Sequence, residues 1–335
     1  MKEKINALGI NSQDIGNERT VENLKQPSGE LNLDYRVKKG RKPIIYSKDD
    51  LERQPMIMLV CGETGVGKTY RNKQEIKHYM MDHLVVGKKG RKVLAFDTND
   101  DDYPKFRTVS PNHLKALTIV SSRRIRPFNK DGSPMDNQQK KEVITKIMKN
   151  YKNGLVVLDD IDHYMTGSKG QAMIGALCTV RHKGIDILLT HQSVAKITTS
   201  EWQNCTWLRL HHQVDDVTRY RDRIPKYQMV RIAQLIVDEQ YELCSNAFAA
   251  EKITELEYKI QKSFFVYVNM REQRIKGCSR SAFIRACKKF IDQEESRKVK
   301  MLLNEEDFDG NKIYKTKNEA IIKLISDKLR YHDNG

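Results

Sequence analysis

The chain has 335 residues, 39% hydrophobic and 31% charged, with a formal net charge of +16. That length suits one large domain or a core domain with appendages, and the charge favours a polyanionic partner, nucleic acid ahead of an anionic membrane. No run approaches the ~20 apolar residues of a spanning helix, and the first residues lack the apolar core of a secretory signal, so a cytoplasmic location is expected.

Residues 1–54 are polar and turn-rich and read as a basic N-terminal arm or linker, whose segment YRVKKGRK could touch phosphate. From Met56 the texture changes to short apolar runs: MIMLVC at 56–61, VLAF at 93–96, LTIV at 117–120, LVVL at 155–158 and IDILLT at 185–190. Each has strand length and is nearly continuous, as expected for strands covered on both faces. Helical periodicity separates several of them: Val143, Ile144, Ile147, Met148 and Tyr151 share one face, and so do Met173, Ala176, Leu177 and Val180. This alternation predicts an α/β fold with a mostly parallel sheet flanked by helices. Runs at 205–210 and 264–269 extend the sheet, and residues 279–335 read as charged helix. The expected organisation is therefore an arm at 1–54, a core at 55–275 and a helical C-terminal region at 276–335.

The six cysteines include no C-x-x-C pair, and several sit in apolar runs, which predicts buried free thiols rather than disulfides or zinc ligands. His211 and His212 are neighbours that would face opposite sides of a strand, so they do not make a metal site together.

The first strand runs into Gly62, Glu63, Thr64, Gly65, Val66, Gly67, Lys68 and Thr69, which fit G-x-x-x-x-G-K-[ST] without a mismatch. The glycines let backbone N–H groups curl around phosphates, and the next helix points its positive end at the same anion. Lys68 is expected on the terminal phosphates of ATP, and Thr69 on Mg²⁺. GLVVLDD supplies the carboxylates such a site needs, with Asp159 expected on Mg²⁺ and Asp160 polarising the attacking water. Asp162 reads as a helix cap or, better, a solvated acid. The strand at 185–190 leads into Gln192, whose amide could orient water or sense the γ-phosphate. These features define the core as a P-loop NTPase of RecA-like type.

The segment VRHKGIDILLTHQS, with the paired Asp159 and Asp160, resembles the FtsK–HerA superfamily of DNA-translocating ATPases. Within it, the Arg181-His182 pair and the second Asp are similar to the genome-packaging ATPases of poxviruses and internal-membrane phages. The likeness spans roughly residues 55–275. It implies a hexameric ring that hydrolyses ATP between subunits and drives duplex DNA through its centre. It also implies a catalytic arginine from the neighbouring subunit, for which Arg181 is the first candidate, followed by Arg219, Arg221 and Arg223. Members acting in conjugation or filamentous-phage export carry membrane spans, and the lack of one here favours the packaging type, at a capsid vertex or in the host cytoplasm. A capsid or membrane docking protein would complete the partners. A nucleotide-switched DNA-binding protein with little turnover is the reading from another class.

Pore loops of such a ring need only backbone contacts, so lysine and arginine should dominate them. Candidates are VVGKKGRK at 85–92, SSRRIRPFNKDG at 121–132, read as a strand-to-helix connection, and TGSKGQ at 166–171 with Lys169.

Overall fold

The computed structural model describes residues 55–83, 87–163 and 183–333. The N-terminal arm, the helical pattern at 170–182, Arg181, His182, the TGSKGQ loop with Lys169, and Cys178 lie outside the described residues.

Among the described residues, nine strands form one sheet in the order β3-β4-β2-β5-β6-β1-β7-β8-β9. They are β1 (Ile57–Cys61), β2 (Lys92–Phe96), β3 (Arg107–Thr108), β4 (Ser122–Ile125), β5 (Gly154–Leu158), β6 (Ile185–His191), β7 (Trp207–His211), β8 (Phe265–Asn269) and β9 (Arg274–Lys276). The strands from β3 to β7 pair in parallel, while β7–β8 and β8–β9 are antiparallel. The expected α/β fold with a mostly parallel sheet is thus the observed one.

The apolar runs explain the layering. Successive side chains on a strand face opposite ways, so Ile57, Leu59 and Cys61 join one apolar cluster while Met58 and Val60 join another. Helix α1 (Lys68–Met80) places Ile76 in the second cluster. On the other face, α2 (Asn137–Asn150) contributes Val143, Ile144, Ile147 and Met148. A capping box between Asp136 and Gln139 closes the start of α2 and satisfies donors that would otherwise lack partners. A long helix, α4 (Tyr227–Ala249), follows the short α3 (Thr199–Asn204) and is followed by the equally short α5 (Glu255–Gln261). The C-terminal helices α6 (Arg280–Glu294), α7 (Ser296–Leu303) and α8 (Lys317–Lys328) place Phe283, Phe290, Val299 and Ile325 in the same cluster as α4. None of the helices among the described residues is long and apolar enough to cross a membrane.

Three expectations require correction. The run LTIV at 117–120 is not a strand, and Ile119 is half exposed. The strand lies beyond it, at SRRI, where Val93 pairs with Ser122 and Phe96 with Ile125. Its arginines belong in a sheet because Arg124 donates to the buried Asp97 at 2.8 Å, and that partner replaces the water it loses. SRRI is therefore a strand rather than a connection, and Arg126, just past its end, also pairs in-chain, bidentately, with Asp100. In the first basic candidate, VVGKKGRK, Lys88 and Lys89 are exposed but Arg91 and Lys92 are buried. Arg91 contacts Asp186 at 3.2 Å, and Lys92 donates to the Leu117 carbonyl, so neither presents a free cation to a phosphate backbone.

Gly90 marks the tightest return in the core. Arg91 N–H bonds to the Tyr79 carbonyl at 3.0 Å, pressing the chain onto the last turn of α1. A Cβ at Gly90 would lie 2.0 Å from the Met80 carbonyl oxygen, a backbone atom that cannot swing aside. Gly90→Ala should lower unfolding stability by about 1–3 kcal/mol, read as an earlier midpoint in urea.

Candidate active site

The strand order brings the functional ends together. β6 sits between β1, which enters the glycine loop, and β5, which ends at Asp159. Cys61 pairs with His191 and Leu158 with Leu189, so Gly62 follows level with Gln192, and Asp160 level with His191. Carboxyl ends of parallel strands are where such sheets bind ligands.

Gly65 and Gly67 have φ of +86° and +77°, a left-handed backbone that only glycine adopts freely. Gly67 is the N-cap of α1 and no side chain caps the helix, so the loop runs straight into a helix start whose first N–H groups lack helical partners. Lys68 is buried, and its Nζ donates to the Gly62 carbonyl at 2.6 Å and the Glu63 carbonyl at 2.7 Å. Burial pulls its ammonium below the ordinary lysine range, while the nearby charges of Asp160 and Asp159 act in the opposite sense.

Asp159 is buried, and its Oδ2 accepts from Tyr103 OH at 2.7 Å, with Thr69 Oγ1 and Asn72 Nδ2 each at 3.4 Å. Burial beside Asp159 pushes the Tyr103 phenol well above its usual range, so it remains a donor. Thr69 and Asp159 form a hard-oxygen pair on adjoining loop ends, which fits Mg²⁺, an ion that keeps several waters and takes its other ligands from phosphate. Thr69 and Asp159 would hold the ion. A bound Mg²⁺ supplies charge to offset the terminal phosphates.

Asp160 is half-buried and leaves the strand at φ +47°, a conformation Asp tolerates better than most residues. Its Oδ2 accepts from Asn99 Nδ2 at 3.2 Å. The carboxylate thus stands next to Asp159 at the strand end, and a half-buried carboxylate there can accept a proton from water.

Asp162 is neither solvated nor simply a cap, contrary to expectation. Its Oδ1 contacts His191 Nδ1 at 2.9 Å and its Oδ2 accepts the Gln192 backbone N–H at 2.9 Å. His191 is fully buried, and its far nitrogen lies 3.7 Å from Glu201, the capping-box glutamate of α3. Asp162 therefore ties the turn after Asp160 to the tip carrying Gln192.

Sequence reasoning passed over Asn72, Tyr103 and Arg209. Arg209 is fully buried on β7, 2.7 Å from Glu75, and donates to the Lys68 carbonyl at 3.2 Å and Asn72 Oδ1 at 2.5 Å. Guanidinium only donates, so it fixes the Asn72 amide with its NH₂ toward Asp159 and toward Thr190 Oγ1, 3.2 Å away. An arginine inside the run CTWLRL was the available signal, because an unpaired charge does not enter a sheet core.

His211 is buried, and burial drives its imidazole well below its usual range, so it is neutral. His212 stacks on Tyr241 at 3.6 Å. Arg221 and Arg223 lie over the rings of Tyr227 and Tyr220, at 5.1 and 4.7 Å, while Arg219 is exposed. Of the five cysteines among the described residues, Cys61, Cys205, Cys244 and Cys287 are buried and Cys278 is half-buried, all free.

A phosphate loop leading into a helix, with a buried strand-end carboxylate beside it, makes this a P-loop NTPase. Residues 56–270 match the family described as Zonular occludens toxin (Zot), and the chain belongs to that family. No curated protein sequence matches it. Among solved structures it is similar to the genome packaging NTPase B204 from Sulfolobus turreted icosahedral virus 2 in complex with AMP. That alignment has 17% identity, covers 67% of this chain and 97% of that one, and has a TM-score of 0.42. It is also similar to the N-terminal domain of zonular occludens toxin from Neisseria meningitidis, at 18% identity, 50% and 89% coverage and a TM-score of 0.31. These overlaps are too loose to carry function across.

Replacing Asp162 by asparagine leaves one acceptor oxygen for the Gln192 N–H and turns the other into a donor, so the contact with His191 Nδ1 survives only with the opposite ring tautomer. Asp162→Asn should lower ATP turnover about tenfold while nucleotide affinity is kept, measured by steady-state hydrolysis and equilibrium binding.

Proposed function

We propose that this protein is an ATP-hydrolysing motor that translocates DNA, working as a homo-oligomeric, hexameric ring that packages a viral or phage genome into a capsid. The observation that carries the reading is the convergence of Lys68, Thr69, Asp159, Asp160 and the Gln192 tip on adjacent strand ends. Lys68 and the loop N–H groups bind the phosphates, Thr69 and Asp159 hold magnesium, and Asp160 orients the attacking water. Gln192, on the strand between the two motifs, senses the terminal phosphate. Arg181 reaches into the neighbouring subunit's site, where a cation offsets charge spreading over the phosphoryl oxygens. The net charge of +16 suits a track of backbone phosphate, and duplex DNA is the proposed one. The host cytoplasm and the capsid vertex are the proposed places of action, with a capsid protein as docking partner.

One observation favours a second reading. Membership of the Zot family supports an export ATPase of filamentous-phage type, docked at a membrane through a partner or through residues outside the described ones. Vesicle flotation separates the two readings.

ATP hydrolysis should be measured without DNA, with duplex and with single strands, at two salt concentrations, alongside Lys68→Ala and Asp160→Asn. The motor reading expects stimulation by DNA that weakens with salt, no turnover in Lys68→Ala, and retained binding without turnover in Asp160→Asn. ATP binding without turnover in the wild type under every condition would replace the motor by a nucleotide switch.

A further inference from the structure

We propose that the loop Asp97–Tyr103, which follows β2, is the positioning element for both carboxylates at the end of β5, with Tyr103 orienting Asp159 and Asn99 orienting Asp160. This rests on reading the site as a magnesium-dependent nucleotide site. Neither residue belongs to the phosphate loop or to the magnesium strand.

Three contacts run from the loop to that strand end. Tyr103 OH reaches Asp159 Oδ2 at 2.7 Å, shorter than the 3.4 Å contacts from Thr69 and Asn72 to the same oxygen. Thr98 Oγ1 approaches the Asp159 carbonyl at 3.4 Å. Asn99 Nδ2 is shared between Asp102 Oδ2 at 2.8 Å and Asp160 Oδ2 at 3.2 Å.

An orienting group must itself be held, and this loop is braced from within. The buried Asp97 accepts the backbone N–H groups of Tyr103, at 3.0 Å, and Asp102, at 3.3 Å. Arg124 on β4 donates to Asp97 at 2.8 Å and to the Asp100 carbonyl at 2.6 Å, locking the loop to the neighbouring strand. The Tyr103 ring is buried, with Phe106 5.2 Å away and the α1 residue Lys73 5.8 Å from its centroid. A carboxylate can turn about its last bond, and a hydroxyl fixed on a buried ring selects one setting of that turn. Tyr103 thereby keeps Asp159 aimed for its metal, and Asn99 holds Asp160 beside it. Both are positioning residues, since neither is placed on the phosphates.

The test compares wild type, Tyr103→Phe and Asn99→Ala, each checked by thermal melting. A fluorescent ATP analogue is bound with and without Mg²⁺, and turnover is measured in parallel. Tyr103→Phe should leave magnesium-free binding unchanged and reduce the gain in affinity that Mg²⁺ confers about tenfold. Asn99→Ala, on the exposed side of the loop, should keep that gain and lower kcat. A wild-type magnesium gain in Tyr103→Phe, or a wild-type kcat in Asn99→Ala, overturns the corresponding assignment. Absence of any magnesium gain in the wild type, with analogue still bound, overturns the site reading itself and this inference with it.

Discussion

Burying a carboxylate without partners costs several kcal/mol, so the position of Asp159 has to be held by donors that are themselves fixed. The donors come from separate parts of the chain: Thr69 and Asn72 from α1, Tyr103 from the loop after β2. Each is anchored in turn. Arg209 sets the amide of Asn72 and grips the Lys68 carbonyl, while Arg124 and Asp97 brace the loop that carries Tyr103. The phosphate loop and the end of β5 are thus joined by buried polar contacts that have few alternative arrangements.

Strand order extends this anchoring to the neighbouring strand end. β6 lies between β1, which enters the phosphate loop, and β5, and its tip is tied by Asp162 to the turn after Asp160. One side chain, Asp162, thus joins the turn after Asp160 to the Gln192 backbone. The apolar cluster that includes α4 and α6 covers the face opposite α1, so the strand ends project from a core packed on both sides.

Much of this was legible in the sequence because it is local. G-x-x-x-x-G-K-T after an apolar run and VVLDD at a strand end are contiguous, and each carries its chemistry within about eight residues. What failed to show was long-range pairing. LTIV had the composition of a strand, yet the sheet took SRRI, because Asp97, 27 residues away from Arg124, supplies a buried partner that composition does not reveal. Arg91 and Lys92 looked like solvent-facing charge for the same reason. Asp162 read as solvated because the residues it binds, His191 and Gln192, lie 29 and 30 positions on. Tyr103 carried no signal, since a single tyrosine in a polar stretch has no period or spacing to mark it.

The proposed metal position beside the phosphate loop is defined jointly by Thr69 and Asp159. A crystal structure with Mn²⁺ and a non-hydrolysable ATP analogue tests it most directly through the anomalous signal of the metal. The account predicts one peak in contact with Thr69 Oγ1 and on the Asp159 side of the phosphates, bound directly or through one water. A peak away from both residues, with the analogue in the Gly62–Thr69 loop, would contradict it.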